Sequence, residues 1–275
     1  MDAMAIIFAR RILACLIEML SINNIVILLL SIYIILGAAL FVFQRSFLYF
    51  PTPPVSSGGL AEIQLTHDGV ELQGYVANEA NRRLILYFGG NAEQITYSLS
   101  DLAEHFPDYA VIGFNYRSYG LSSGQATEKN LYRDALFLFD TFESRYKHVV
   151  VMGRSLGSGV ASYVGSERSP AQLILSTPFD SIAAVAANKV WYYPVQWMIT
   201  DRFDSASRVA AIRSPSLVVI ADQDSVVPRA HSERLVRAFS PSIVRSVTIV
   251  DAEHNTLSRK PEYLEALKAF LASSQ

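Results

Sequence analysis

Cysteine is almost missing from this chain. Cys15 stands alone, so no disulfide can close within the molecule, and the redox compartment is left open. Cys15 also lies in an apolar segment with no histidine or basic partner beside it, a poor setting for a nucleophile. Charge is sparse as well: 17% of residues are charged and the net is -2, which argues against a partner recognised through nucleic-acid phosphates. Internal repeats and low-complexity tracts are lacking. What is abundant is hydrophobicity, at 51% of 275 residues, too much for a disordered chain and enough for one sizeable core plus an appendage.

Much of that apolar content falls in the first fifty residues. Ile25 to Phe43 is uncharged and rich in Ile, Leu, Val and Phe. At ~1.5 Å per residue its helix would reach roughly 28 Å, close to the hydrocarbon thickness of a bilayer. It exceeds the apolar part of a signal peptide, and Ala38-Ala39 is only a weak cleavage motif, so a transmembrane anchor over 25–43 is expected. The preceding stretch, Ala5 to Leu20, carries Arg10, Arg11 and Glu18. With Ser21 these fall within about a third of a helical circumference, as in a helix lying in the membrane interface. Residues 1–24 are therefore read as an interfacial segment, with a second span as the alternative. Arg10 and Arg11 before the anchor outnumber Arg45 after it, which favours a cytoplasmic amino terminus and a domain on the non-cytoplasmic side.

Pro51-Thr-Pro-Pro-Val-Ser-Ser-Gly-Gly59 reads as the core of a linker, 44–60, before a domain over 61–275. Within the domain, strand and helix patterns alternate. A hairpin turning at Asp68-Gly69 joins Ile63–Thr66 to Val70–Val76. Short apolar runs follow at 84–88, 110–116, 149–152, 173–176, 216–221 and 246–250, with helical spacing over 128–146 and about 261–272. Such alternation predicts an α/β domain with a mostly parallel sheet, helices on both faces, and ligands at the carboxyl edge of the strands. The aromatic-rich segment 179–207, with Trp191, Tyr192, Tyr193 and Trp197, interrupts the pattern as either a small cap or an ordinary surface helix.

One stretch carries the chemistry. Val149-Val-Val-Met-Gly153-Arg-Ser155-Leu-Gly157-Ser-Gly159 runs from a buried-strand pattern through Gly-x-Ser-x-Gly into a small-residue helix start. A bare five-residue match is common by chance; the flanking strand and helix make it informative. A serine on so sharp a turn has a strained backbone and needs tiny neighbours two positions away on each side. That arrangement leaves the Ser155 hydroxyl exposed as a nucleophile. It then needs a base, and the base an acid, from loops after later strands in the order Ser, acid, His. Of five histidines, His67 lies in the hairpin turn, His105 and His148 precede the serine, and His231 sits early in a helix. His254 alone follows the last strand and is the expected base. Asp224, in Asp222-Gln-Asp-Ser-Val-Val-Pro228, is the preferred acid because it lies beyond the strand end. Asp222 is the alternative, better suited to bonding backbone amides of the turn, and Asp251 and Glu253 are weaker rivals. An oxyanion needs two backbone N–H donors, assigned to Leu156 and to Asn91 after Gly89-Gly90. Arg117, in a polar loop that should border the pocket, is either a contact for an acidic substrate group or a structural ion-pair partner.

Together these positions resemble the α/β-hydrolase superfamily, and more narrowly the membrane-anchored α/β-hydrolase-domain serine hydrolases, a group that includes protein depalmitoylases. The resemblance covers about Arg45 onward. It rests on Arg45-Ser-Phe-Leu-Tyr-Phe-Pro51, Phe88-Gly-Gly-Asn-Ala92, Phe114-Asn-Tyr-Arg-Ser-Tyr-Gly120, Gly153-Arg-Ser-Leu-Gly-Ser-Gly159 and Asp222-Gln-Asp-Ser-Val-Val-Pro228. It implies the α/β-hydrolase fold, Ser155, Asp224 and His254 as catalytic triad, and Asn91 and Leu156 as oxyanion donors. Where the family usually has His-Gly before the asparagine, this chain has Gly89-Gly90, which implies a freer loop. The expected activity is hydrolysis of carboxylic esters or thioesters through an acyl-enzyme, with no metal or organic cofactor and no nucleic-acid partner. Nearness to a membrane suggests lipid or acylated-protein substrates. A serine peptidase of oligopeptidase type, or a non-catalytic binding protein that kept the fold, are the alternatives.

Overall fold

The computed structural model describes residues 3–19 and 22–273. The chain divides into two units, one ending at Phe47 and the other beginning at Leu48. The first holds two helices, α1 (Ala3–Met19) and most of α2 (Ile22–Leu48). On α1, Arg10, Arg11 and Cys15 are exposed; Leu20 and Ser21, part of the expected interfacial face, lie outside the described residues. α2 is long and apolar enough to cross a membrane, its most apolar stretch having a mean hydropathy of 3.0, and it exposes Ile, Leu, Val and Phe side chains along its length. It extends past the expected 25–43 at both ends, because neither Asn23-Asn24 nor Gln44-Arg45 breaks a helix.

The second unit is built on eight strands: β1 (Ala61–His67), β2 (Val70–Ala77), β3 (Arg83–Phe88), β4 (Tyr109–Phe114), β5 (His148–Arg154), β6 (Gln172–Ser176), β7 (Ser216–Ala221) and β8 (Val244–Ile249). They form one sheet in the order β1-β2-β4-β3-β5-β6-β7-β8. β1 and β2 pair antiparallel around Asp68 and Gly69, both at positive φ as a two-residue hairpin requires, and β2 is antiparallel to β4. Every later pairing is parallel. β4 stops two residues short of the expected Tyr116: Asn115 N still donates to Gln73 O of β2, and the chain then turns, with Tyr119 N bonding Tyr116 O and Ser118 at positive φ.

Helices α3 (Ile95–His105), α4 (Glu128–Glu143), α5 (Leu156–Glu167), α6 (Ile182–Lys189), α7 (Val195–Met198), α8 (Ser205–Arg208), α9 (Arg229–Ala238) and α10 (Pro261–Ala272) complete the unit. Local chemistry sets several of their starts. Thr127 and Ser181 cap α4 and α6 by accepting N–H bonds, and Pro261 opens α10, where its missing N–H costs nothing. The alternation of side chains along β3 divides the core between two faces. Leu84, Leu86 and Phe88 join one cluster with α4 and α5, and Ile85 and Tyr87 the other with α3 and α10. Burial on both faces explains why these strands read as unbroken apolar runs.

Part of the stretch read as a linker, from Leu48 on, belongs to this unit. Residues 44–48 are helical, and Leu48, Phe50 and Pro53 each bond side chains of the loop after β3. The segment 179–207 is three short helices, α6 to α8, anchored by the buried rings of Phe179, Tyr193 and Phe203, while Trp191 and Trp197 face outward.

Candidate active site

Ser155 sits between β5 and α5 at φ 51° and ψ -118°, a conformation that costs a non-glycine residue about 1–3 kcal/mol. The turn is closed on both sides. A Cβ on Gly153 would lie 2.2 Å from Gly157 O, and one on Gly157 2.1 Å from Phe88 O, so neither position accepts a side chain. Donation from Ser155 N to Ser176 O ties the bend to β6, and the hydroxyl and N–H of Ser158 both bond the Ser155 carbonyl.

His254 lies in the loop after β8, with Nε2 2.8 Å from Ser155 Oγ and Nδ1 2.7 Å from Asp224 Oδ2. Both His254 and Asp224 are buried, which keeps the pair away from competing water. Asp224 Oδ1 accepts from the N–H groups of Val226 and Val227, so one oxygen fixes the loop while the other meets the imidazole. The turn-holding role expected of Asp222 therefore belongs to Asp224. Asp222 points to the surface and pairs with Arg229 at 2.9 Å. Asp251 accepts from Gln223, and Glu253 is exposed.

The other histidines are engaged elsewhere. His67 bonds Asp134 and stacks on Phe137, His105 meets the Asp101 carbonyl, and His148 stands at the far end of β5, its pKa lowered by burial. His231 is fully buried against Asp180, with Asn188 on its other nitrogen. Arg117 makes a two-pronged pair with Asp134, at 2.8 and 2.7 Å, and is a structural ion-pair partner. Those bonds raise its already high pKa.

Asn91 and Leu156 lie in the loop after β3 and at the first position of α5. The Asn91 side chain is itself held: it donates to Leu48 O at 2.6 Å and accepts from Phe50 N at 3.0 Å and Tyr119 Oη at 2.6 Å. Far from being free, the Gly89-Gly90 turn is pinned by Tyr116 Oη on Gly89 O and by Gly90 N on Glu93 Oε2. Gly89 is also packed against α3, since a Cβ there would lie 2.7 Å from Ile95 Cγ2.

Glu93 and Arg154 were not singled out from the sequence. The Glu93 carboxylate receives Tyr87 Oη, Gly90 N, Ser98 Oγ and Arg154 Nη1. Arg154 Nη2 reaches on to His254 O at 3.2 Å and Asn255 Oδ1 at 2.9 Å. One ion pair thus joins the loop of Asn91, the turn of Ser155 and the loop of His254. Burial works against the Arg154 charge, but Glu93 outweighs it and raises the guanidinium pKa. Burial, with Glu93 beside it, pushes the Tyr87 phenol far above its usual value, so that it serves as a donor. The only sequence signal was two charged residues next to the glycine-rich turns.

No protein-family model matches the chain. It is 30% identical over 257 residues to the uncharacterized protein Rv2307c of Mycobacterium tuberculosis, covering 86% of this chain and 91% of that one. It is also 30% identical over 173 residues to alpha/beta hydrolase domain-containing protein 17C of Mus musculus, 59% of this chain and 50% of the mouse protein. The fold superposes on the Pyrococcus furiosus esterase Pf2001 with a TM-score of 0.64 at 18% identity, covering 82% of this chain and 99% of the esterase. Sheet order, serine turn and these likenesses agree: the chain belongs to the α/β-hydrolase superfamily.

Proposed function

We propose that the protein is a membrane-anchored serine hydrolase that cleaves carboxylic esters or thioesters through an acyl-enzyme. The observation that carries this is the unbroken chain Asp224 Oδ2, His254 Nδ1, His254 Nε2, Ser155 Oγ, with both contacts under 3 Å and the hydroxyl on a strained turn. With its proton on Nδ1, His254 is oriented by Asp224 to take the Ser155 proton at Nε2 as Oγ attacks the acyl carbon. The N–H groups of Asn91 and Leu156 receive the oxyanion, each worth ~10²–10³ in rate. His254 returns its proton to the departing alcohol or thiol. Water then attacks the acyl-serine with His254 again as base, releasing the acid and restoring Oγ–H.

α2 supplies the anchor, and the excess of Arg10 and Arg11 over Arg45 favours the domain lying on the non-cytoplasmic side. An acyl ester or thioester of a lipid or acylated protein is the substrate class that suits such a tether. A fluorophosphonate probe should label wild type and not Ser155→Ala, and the variant should lose turnover of p-nitrophenyl acyl esters. An unlabelled, well-folded wild type would defeat the proposal, whereas labelling with hydrolysis of peptides alone would make the protein a peptidase.

A further inference from the structure

The chain has two tryptophans, and both lie on the segment that interrupts the strand–helix alternation. Trp191 is 80% exposed and Trp197 89%. Neither is left outside for want of a core, since the same segment buries Tyr193 and Phe203 completely or nearly so. Nor is the segment loose. Arg202 Nη1 donates to Gln196 O at 2.5 Å, its N–H meets Glu128 Oε2 at 2.7 Å, and α6 carries a capped start. Two indoles displayed on a fixed support are an apolar surface awaiting an occupant rather than scattered exposure.

What occupies it follows from where the chain leaves its apolar helix. Leu48 ends α2 and already belongs to the folded unit, so no free spacer separates that helix from the domain. The next residue, Tyr49, donates its hydroxyl to Asp201, four residues beyond Trp197. Phe50, half exposed, follows. The emerging chain is thus hydrogen-bonded to the tryptophan-bearing segment itself. Indole is the side chain most at home between headgroups and acyl chains, and both indoles of the chain stand on this one segment.

We propose that Trp191 and Trp197 dock the segment 182–207 onto the surface of the lipid bilayer. This rests on α2 being a membrane anchor, as proposed above. Docking would bring the carboxyl edge of the sheet, where Ser155 lies, close to the acyl chains of its substrates.

Because no other tryptophan exists, the intrinsic fluorescence of the full chain reports on this patch alone. The chain, reconstituted into liposomes of phosphatidylcholine and phosphatidylglycerol, should show blue-shifted emission protected from acrylamide. Lipids brominated near the headgroup end of the acyl chain should remove most of it. Trp191→Phe and Trp197→Phe should each keep a quenched remainder. Flotation on a density gradient separates the outcomes. A chain that floats with the vesicles while its tryptophans stay red-emitting, acrylamide-accessible and unquenched overturns the docking and leaves the anchor standing. A chain that does not float overturns both.

Discussion

Single side chains divide the labour around Ser155, and the two oxygens of Asp224 illustrate it. Asp224→Asn keeps an acceptor for the Val226 and Val227 N–H groups but turns an amide donor toward His254 Nδ1. Turnover should fall by ~10⁴ with little change in stability, because the imidazole is held in the wrong tautomer. Asp224→Ala should lose turnover and melt earlier as well, since the loop amides lose their acceptor. Asp222→Asn breaks only a surface pair with Arg229 and should leave turnover intact. Steady-state kinetics beside thermal denaturation of the three variants separates these roles. The order Ser, Asp, His along the chain and one serine turn pointed to Ser155, Asp224 and His254 among five histidines, and these three side chains lie in hydrogen-bond contact. Glu93 could not be picked out in the same way: its four donors come from Tyr87, Gly90, Ser98 and Arg154, a convergence that exists only after folding.

Between elements, two ionic contacts with buried or nearly buried carboxylates hold the site's surroundings together. Glu93–Arg154 links the loops after β3, β5 and β8. Glu93→Ala would strand the Arg154 guanidinium without its carboxylate and should cost about 3–5 kcal/mol, read by chemical denaturation. The second contact joins the loop after β6 to α9. There burial works against the Asp180 charge, but bonds from Arg234 and His231 hold its carboxyl below the usual range. A carboxylate favoured by folding adds stability that is complete above its unfolded pKa of about 3.9 and fades as pH falls through the lower folded value. Denaturation of wild type and Asp180→Asn should therefore differ most near neutrality and converge as pH drops below about 4. The strands themselves were legible from their apolar runs, and the hairpin from Asp68-Gly69. The extent of α2 was not, because the apolar run stops at Phe43 while the polar Gln44-Arg45, good helix formers, carry the helix on to Leu48.

At the scale of the whole molecule, the chain comprises an apolar helical unit ending at Phe47 and an eight-stranded hydrolase-fold unit beginning at Leu48. If α2 spans a bilayer, the full chain should remain in the pellet after alkaline carbonate washing. Protease added outside right-side-out vesicles should then reach the C-terminal domain. Domain shielding in those vesicles would reverse the proposed side while leaving the anchor in place. Hydropathy and strand periodicity change sharply in the sequence between the apolar amino-terminal part and the domain. They did not reveal the junction, because the bonds made by Leu48, Tyr49 and Phe50 depend on partners 41 to 152 positions away.

That junction has a practical consequence for anyone preparing a soluble fragment. The proline-rich composition invites a start near residue 60, yet Asn91 would then lose the carbonyl of Leu48 and the amide of Phe50. A fragment trimmed there should fold but turn over poorly if Asn91 donates to the oxyanion as proposed, its loop slackened by a cut some thirty residues upstream. One that begins just ahead of Leu48 should keep those bonds, and the proposed hydrolase activity, without the greasy helix.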